Sequence, residues 1–246
     1  MIFRWTIWGN KEKSKELLKY SILSFKKFFG ENNRYIVFTD NKINLYDLNE
    51  MVEVIEFKEE DLFNVDSVAT WKKWCPTARI DINEHEFYVD SDVFLVNKPE
   101  EIFDFLNDKK YKFAILDEFK GQSWQHGAMS TKANENTPFV NAGLFIQKAG
   151  QDITADLLKE FNWWKENIKQ EEVKHHDEQG ALAVSLNKYK VNNSLYVLPK
   201  NKYMLIGPNE NNNIENLENI VLFHAVYPEH PAFYKFKKFL DNILYE

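Results

Sequence analysis

Hydrophobic positions along the chain alternate between short runs and long stripes. Residues 2–8 form an apolar run of strand length, stopped by Gly9 and Asn10. Leu18, Ile22, Phe25 and Phe29 then recur at i, i+4, i+7 and i+11, one face of a helix over 11–29. Asn10 is placed to cap its start and Gly30 its end. Apolar runs at 35–38 and 52–57 predict a second and a third strand. This strand–helix–strand order predicts an α/β fold with a mostly parallel sheet and helices on its faces.

The pattern continues downstream. A helix is expected over 67–82, carrying Trp71, Lys72, Lys73 and Trp74, with Pro76 kinking or restarting it. A strand over 86–89 runs into Asp90-Ser91-Asp92, after which apolar residues resume through Val96. A helix over 99–106 and a strand over 111–116 follow. Residues 117–139, with Trp124, His126 and Met129, show little periodicity, and a loop of that length is usually functional or mobile. Residues 140–146 read as a strand, and Leu157, Phe161, Trp164 and Ile168 stripe the next helix. After a charged connection over 169–174, His176-Asp177-Glu178-Gln179 opens a short helix bearing Leu182 and Leu186. Strands over 196–198 and 220–223 flank an Asn-rich loop, with His224 ending the second, and Pro231 starts the last helix. No repeat or linker divides the chain.

Composition narrows the setting. The chain has 246 residues, 15% of them aromatic, and a formal net charge of −7, which argues against a broad nucleic-acid-binding surface. Cys75 is the single cysteine, so an internal disulfide is impossible and a reducing, cytoplasmic setting is expected. Arg4 and Asn10 break the first apolar run, so it does not read as a signal peptide. No apolar stretch approaches the ~20 residues of a bilayer span.

The candidate chemistry centres on Asp90 and Asp92. Two carboxylates at the end of a buried strand are costly unless a cation or hydrogen bonds compensate. Mg²⁺ and Mn²⁺ favour carboxylate oxygen and commonly share it with substrate phosphates. The triplet alone is weak, since a chain with 14 Asp among 246 residues contains about one by chance, and a solvated turn is the plain alternative. The apolar flanks favour a metal. Three further polar stations follow strands or open helices: Asn141-Ala142-Gly143, Asp177-Glu178-Gln179 and His224. Ligands of open α/β sheets bind beyond the carboxyl ends of strands, so convergence on one crevice is expected.

In order and spacing these stations resemble the GT-A-fold glycosyltransferases, and among them the glycogenin and bacterial lipopolysaccharide galactosyltransferase family. The resembling segments are 87–93, 139–145, 176–179 and 223–224. The resemblance implies a single Rossmann-like GT-A domain, with residues 1–97 binding a nucleotide-sugar and 98–246 binding the acceptor. It implies transfer from a UDP-linked hexose to an acceptor hydroxyl on a glycan or glycoconjugate, with Mn²⁺ or Mg²⁺ held by Asp90, Asp92 and His224. Thr6, Trp8 and Asp40 would hold the nucleoside. Lys73, with Lys72 as its competitor, would meet the diphosphate, aided by Ser91. Asn141, Ala142 and Gly143 would let the backbone approach the donor sugar. Asp177, Glu178 and Gln179 would face the reacting carbon, with retention of anomeric configuration as the family's outcome. The family pattern places Asp-Gln where this chain has Asp-Glu-Gln, which leaves the stereochemistry open. Two other classes compete. A nucleotidyltransferase would want a Gly-rich phosphate loop after the first strand, where this chain has one glycine, Gly9. A noncatalytic sugar-binding protein would leave the aligned carboxylates unexplained.

Overall fold

The computed structural model describes residues 1–118, 123–208, 217–227 and 229–245, with 123–125 described by backbone alone. Residues 119–122 of the 117–139 stretch, residues 209–216 of the expected Asn-rich loop and the Trp124 side chain therefore lie outside the described residues. In chain order the elements are β1 Ile2–Ile7, α1 Glu12–Phe29, β2 Arg34–Thr39, β3 Glu53–Glu56, β4 Glu86–Val89, β5 Val93–Leu95, α2 Glu100–Asn107, β6 Phe113–Asp117, β7 Val140–Gln147 and α3 Thr154–Asn167. They continue with α4 Asp177–Ser185, α5 Asn187–Val191, β8 Leu195–Leu198, β9 Tyr203–Ile206, β10 Leu222–Ala225 and α6 Pro231–Tyr245.

Seven strands form the main sheet in the order β3-β2-β1-β4-β7-β6-β8. All its pairings are parallel except those of β7, which runs antiparallel to β4 and β6. The mostly parallel sheet read from the sequence is thus present, with one reversed central strand. Alternation along β1 and β2 feeds two cores. Phe3, Trp5, Tyr35 and Val37 pack with Leu18, Ile22 and Phe25 of α1, together with α2. Ile2, Ile36 and Phe38 share the opposite core with Leu157, Phe161 and Trp164 of α3 and with α4. Helices therefore cover both faces. A second sheet, β5-β10-β9, packs against α6 through Phe94, Phe223, Phe233 and Phe236.

Several local expectations are corrected. The helix over 67–82 does not form. A single 3₁₀ turn, Trp71–Trp74, is followed by a cis Cys75–Pro76 peptide. Arg4 explains the difference: its guanidinium donates to the carbonyls of Cys75 and Thr77, acceptors that a helix would have used itself. Trp71 instead packs on Phe161, with ring centroids 4.7 Å apart, and Trp74 on Tyr88 at 4.5 Å. The N-cap of α1 is Lys11, without a side-chain hydrogen bond, and not Asn10. β9 was not expected, because its Tyr203–Ile206 run carries no strong alternation. His224 lies inside β10 and does not end it.

Arg4 is also the charge that makes β4 possible. It is fully buried between the rings of Phe38 and Tyr88, 4.6 and 4.2 Å from their centroids, and meets Glu86 at 3.3 Å. Glu86, also fully buried, further accepts a hydrogen bond from Ile80 N at 2.9 Å. Breaking such a pair on one side leaves an uncompensated buried charge. Arg4→Met is expected to lower unfolding free energy by about 3–5 kcal/mol. Urea denaturation checks this, and a loss below about 1 kcal/mol would mean that Arg79, 3.7 Å from Glu86, suffices alone.

Candidate active site

Beyond the carboxyl ends of β1 and β4 the molecule opens into a cleft of about 860 Å³. It is lined by Thr6, Trp8, Lys73, Asp90, Ser91, Asp92, Asn141, Glu178, Gln179 and His224, ten of the residues singled out in the sequence.

Strand pairing assembles the acidic centre. The turn after β4 closes with a Val93 N to Asp90 O bond of 3.2 Å. β5 then pairs antiparallel with β10, setting His224 opposite Val93, while Ala225 N donates to Asp92 O at 2.9 Å. That register delivers His224 Nε2 to 3.1 Å from Asp92 Oδ1. Ligand atoms of Asp90, Asp92 and His224 all lie within 4.8 Å of one another.

A bulge in β7 completes the centre. The register against β6 jumps from Ile115–Phe145 to Leu116–Asn141, and Ala142 and Leu144 fall on opposite cores. Bulges re-aim side chains. Here Asn141 Oδ1 lies 3.0 Å from His224 Nδ1 and accepts from Gly143 N at 2.8 Å. A carboxamide oxygen only accepts, so it fixes the proton on Nδ1. Nε2 is left to meet Asp92 or a cation, the arrangement in which metal-binding histidines are commonly held. Gly143 is turned toward the imidazole, because a Cβ there would lie 2.5 Å from His224 Nδ1. Its missing side chain thus makes room for His224. Two carboxylates and one oriented imidazole fit a hard or borderline divalent cation such as Mn²⁺.

The centre is charge-balanced. Burial works to raise the Asp92 carboxyl, but His224 and then His230 override it and hold it well below the usual carboxylate range. Burial likewise lowers His224, and Asp92 outweighs it to raise the imidazole. His230 Nδ1 sits 3.1 Å from Asp92 Oδ2 and 2.7 Å from Ala225 O. Lys73 Nζ grips both oxygens of Asp90, at 2.7 and 2.8 Å. Its carbonyl accepts from Thr6 Oγ1 at 3.0 Å.

The remaining sequence candidates divide. Glu178 faces the cleft, accepts from Thr70 Oγ1 at 2.7 Å and, among the described residues, leaves Oε2 without a hydrogen-bond partner. Burial, opposed by Lys73 and Thr70, pushes its carboxyl up to about 7. Gln179 is held inward, accepting from Ala142 N at 3.1 Å and donating to Glu118 Oε2 at 3.4 Å. Asp177 points away from the cleft and is fully buried. It accepts from Ala128 N, Trp164 Nε1 and Lys174 N at 2.7, 2.8 and 3.0 Å, pinning the middle of the 117–139 stretch to α4. Asp40 is exposed and steadies the lip of the cleft by accepting from Gly9 N at 3.0 Å. Lys72 pairs with Asp66 instead, at 2.5 Å.

Sequence reasoning missed Thr70, Glu118, His175, Tyr227 and His230, and gave His176, within a resembling segment, no role of its own. All but His230 line the cleft. Glu118 carried a legible signal: like Asp90, it is a carboxylate just beyond the carboxyl end of a strand. His230, six residues after His224 and beside Pro231, carried a weaker one.

Gly143→Ala is expected to displace His224 and weaken Mn²⁺ affinity by about 10–100-fold, the usual effect of disturbing a ligand's support. Calorimetric titration with Mn²⁺ measures it, and unchanged affinity would dissociate His224 from cation binding. His224→Ala should lower Mn²⁺ affinity without a comparable loss of Tm. The reverse result would make His224 a packing residue.

No protein-family model and no curated protein matches this chain. Solved structures do. The galactosyltransferase LgtC, in complex with donor and acceptor sugar analogs, aligns over 98% of this chain and 96% of its own with a TM-score of 0.64 and 11% identity. Mouse xyloside xylosyltransferase 1 aligns over 91% and 96%, with a TM-score of 0.56 and 12% identity. The glycosyltransferase GlyE of Streptococcus pneumoniae TIGR4 aligns over 99% of this chain but 62% of its own, with a TM-score of 0.59 and 10% identity. At such identities the likeness speaks to architecture: the chain has the GT-A glycosyltransferase fold.

Proposed function

We propose that the protein is a metal-dependent glycosyltransferase that moves a hexose from a UDP-sugar to a hydroxyl of a glycan or glycoconjugate, with retention. One observation carries this reading: Asp90, Asp92 and His224 converge at a strand's carboxyl end inside the cleft, beside a lysine that can meet phosphate. Asp90, Asp92 and His224 would hold Mn²⁺ or Mg²⁺, which when bound supplies Lewis-acid neutralisation of the leaving diphosphate. Residues 1–97 then serve the nucleotide-sugar and 98–246 the acceptor. Trp8, 38% exposed on the cleft wall, offers an apolar face to the base, with Thr6 and Asp40 at the nucleoside end. Lys73 presents a positive charge to the diphosphate, and Ser91 a hydroxyl. Asn141 orients His224, and Gln179 fixes Ala142 and so the bulge beneath the sugar. Glu178, the carboxylate of the Asp177-Glu178-Gln179 run that reaches the cleft, would orient the donor and stabilise positive charge at the anomeric carbon. Among the described residues no helix is long and apolar enough to cross a membrane.

Asp92→Asn keeps the size of the side chain and should cut UDP release by about 10²-fold or more, with the fold intact by circular dichroism. Full activity of that variant, or of wild type in excess EDTA, would end the metal reading.

The pH dependence follows from Glu178. Its carboxyl is raised to about 7, so the ionised form grows as pH rises from 6 to 8. Turnover should therefore rise across that window, and Glu178→Gln should flatten the limb at a cost of only a few-fold. A general base would cost roughly 10²–10⁴-fold. NMR of the first-formed product separates the two: an anomeric configuration opposite to the donor's would overturn retention and make Glu178 the leading base.

A further inference from the structure

The cleft has a neighbour. A second cavity of about 440 Å³ lies on the other side of Glu118, which lines both. Its apolar wall includes Tyr111, Phe139 and Val197, the last two 38% and 40% exposed. Three lysines reach it from three separate segments. Lys110 comes from the turn before β6, Lys190 from α5 and Lys200 from the turn between β8 and β9. All three are exposed. Among the described residues none of them pairs with a carboxylate, and Lys110 Nζ meets only Tyr111, its hydroxyl at 3.4 Å and its ring centroid at 4.8 Å. The cavity is also lined by two acids, each of which accepts a hydrogen bond from a neighbouring group. Asp117 Oδ1 accepts from Glu118 N at 3.0 Å, and Glu118 Oε2 accepts from Asn141 Nδ2 at 2.9 Å.

This arrangement is unusual for the chain. A protein of net charge −7 gathers three unpaired cations around one half-apolar hollow. Mutual repulsion disfavours such a cluster unless an anion is drawn to it. An aromatic wall with a few convergent charges suits a ligand with a flat apolar face and a negative group. The hollow is also continuous with the reaction centre in sequence, because Pro138 and Phe139 lead within two residues to Asn141. We propose that this cavity extends the acceptor site and binds an anionic saccharide. A sugar face would lie on Phe139 and Tyr111, and its carboxylate or phosphate would meet Lys190 and Lys200. Lysine serves there as a mobile point charge. The inference rests on the transferase reading for the word acceptor, while the binding itself does not.

The test reads binding without turnover, in saturating UDP and Mn²⁺ so that the main cleft is filled. Three probes are titrated by calorimetry: a glucuronate-containing hyaluronan tetrasaccharide, a phosphorylated malto-oligosaccharide and neutral maltotetraose. One or both anionic probes should bind at least 10-fold tighter than maltotetraose, and the arm that binds identifies carboxylate or phosphate. The double variant Lys190→Ala/Lys200→Ala should lose that preference while its affinity for UDP and Mn²⁺ stays at the wild-type value. Equal binding of all three probes, or an undiminished preference in the double variant, would overturn the assignment. A wild-type protein that shows the preference but transfers no sugar would instead defeat the function proposed above and leave a saccharide-binding cavity standing.

Discussion

Two carboxylates at the end of a buried strand set the terms for the rest of the molecule. All four residues of β4 are buried, and the chain emerges from it as Asp90-Ser91-Asp92. Leaving those charges uncompensated would cost several kcal/mol. Compensation arrives from three directions: Lys73 from the 3₁₀ turn, His224 from β10 and His230 from the entry to α6. None of these is local to β4. The 3₁₀ turn is held down by Arg4, β10 is placed by pairing with β5, and His224 is oriented through the β7 bulge. Charge balance at one point thus couples the main sheet, the small sheet and the tryptophan-rich segment.

β4 carries the same problem at its other end and solves it differently. Glu86 is surrounded by Arg4, Arg79 and the Ile80 amide, and is fully sealed. Nothing further can reach it. Asp90 and Asp92 have protein partners on one side and a cleft on the other, with side chains 30% and 13% exposed. A charge that is fully enclosed is architecture, whereas one matched on a single side can accept a cation or a substrate. The difference between the two ends is what makes the carboxyl end of the sheet the chemical one.

Much of this was legible before the fold was known, and the failures have definite causes. The α1 and α3 stripes and the first three strands follow from periodicity alone, because each packs one regular face. Asp90, Asp92 and His224 were legible from order, since each sits where an apolar strand stops being purely apolar. The helix over 67–82 was misread because its tryptophans answer to α3 and Tyr88 and its carbonyls to Arg4, partners far away in sequence. Gly143 shows the same limit. It reads as room for a ligand, but the nearest group is the chain's own His224, and only the β7 bulge reveals that.

Asp177 and Glu178 show how a single residue step along a helix separates two identical chemistries. Both are buried at the start of α4. Asp177 receives three hydrogen bonds, and a Cβ on Gly127 would fall 2.2 Å from its Oδ1, so the loop must come that close to hold it. Its charge is spent on structure. Glu178 receives one hydrogen bond, from Thr70, and burial outweighs Thr70 and the nearby Lys73 charge to lift its carboxyl to about 7. Neighbouring acids whose environments differ in this way take different roles. The anchoring of Asp177 is also what aims Glu178, because successive side chains of a helix diverge by about 100°. With Asp177 locked toward Trp164 and the 126–128 backbone, α4 cannot rotate, and Glu178 is left facing Lys73 across the cleft. A glycine in a poorly periodic loop thus helps set the direction of a carboxylate whose Oε2 has no hydrogen-bond partner among the described residues.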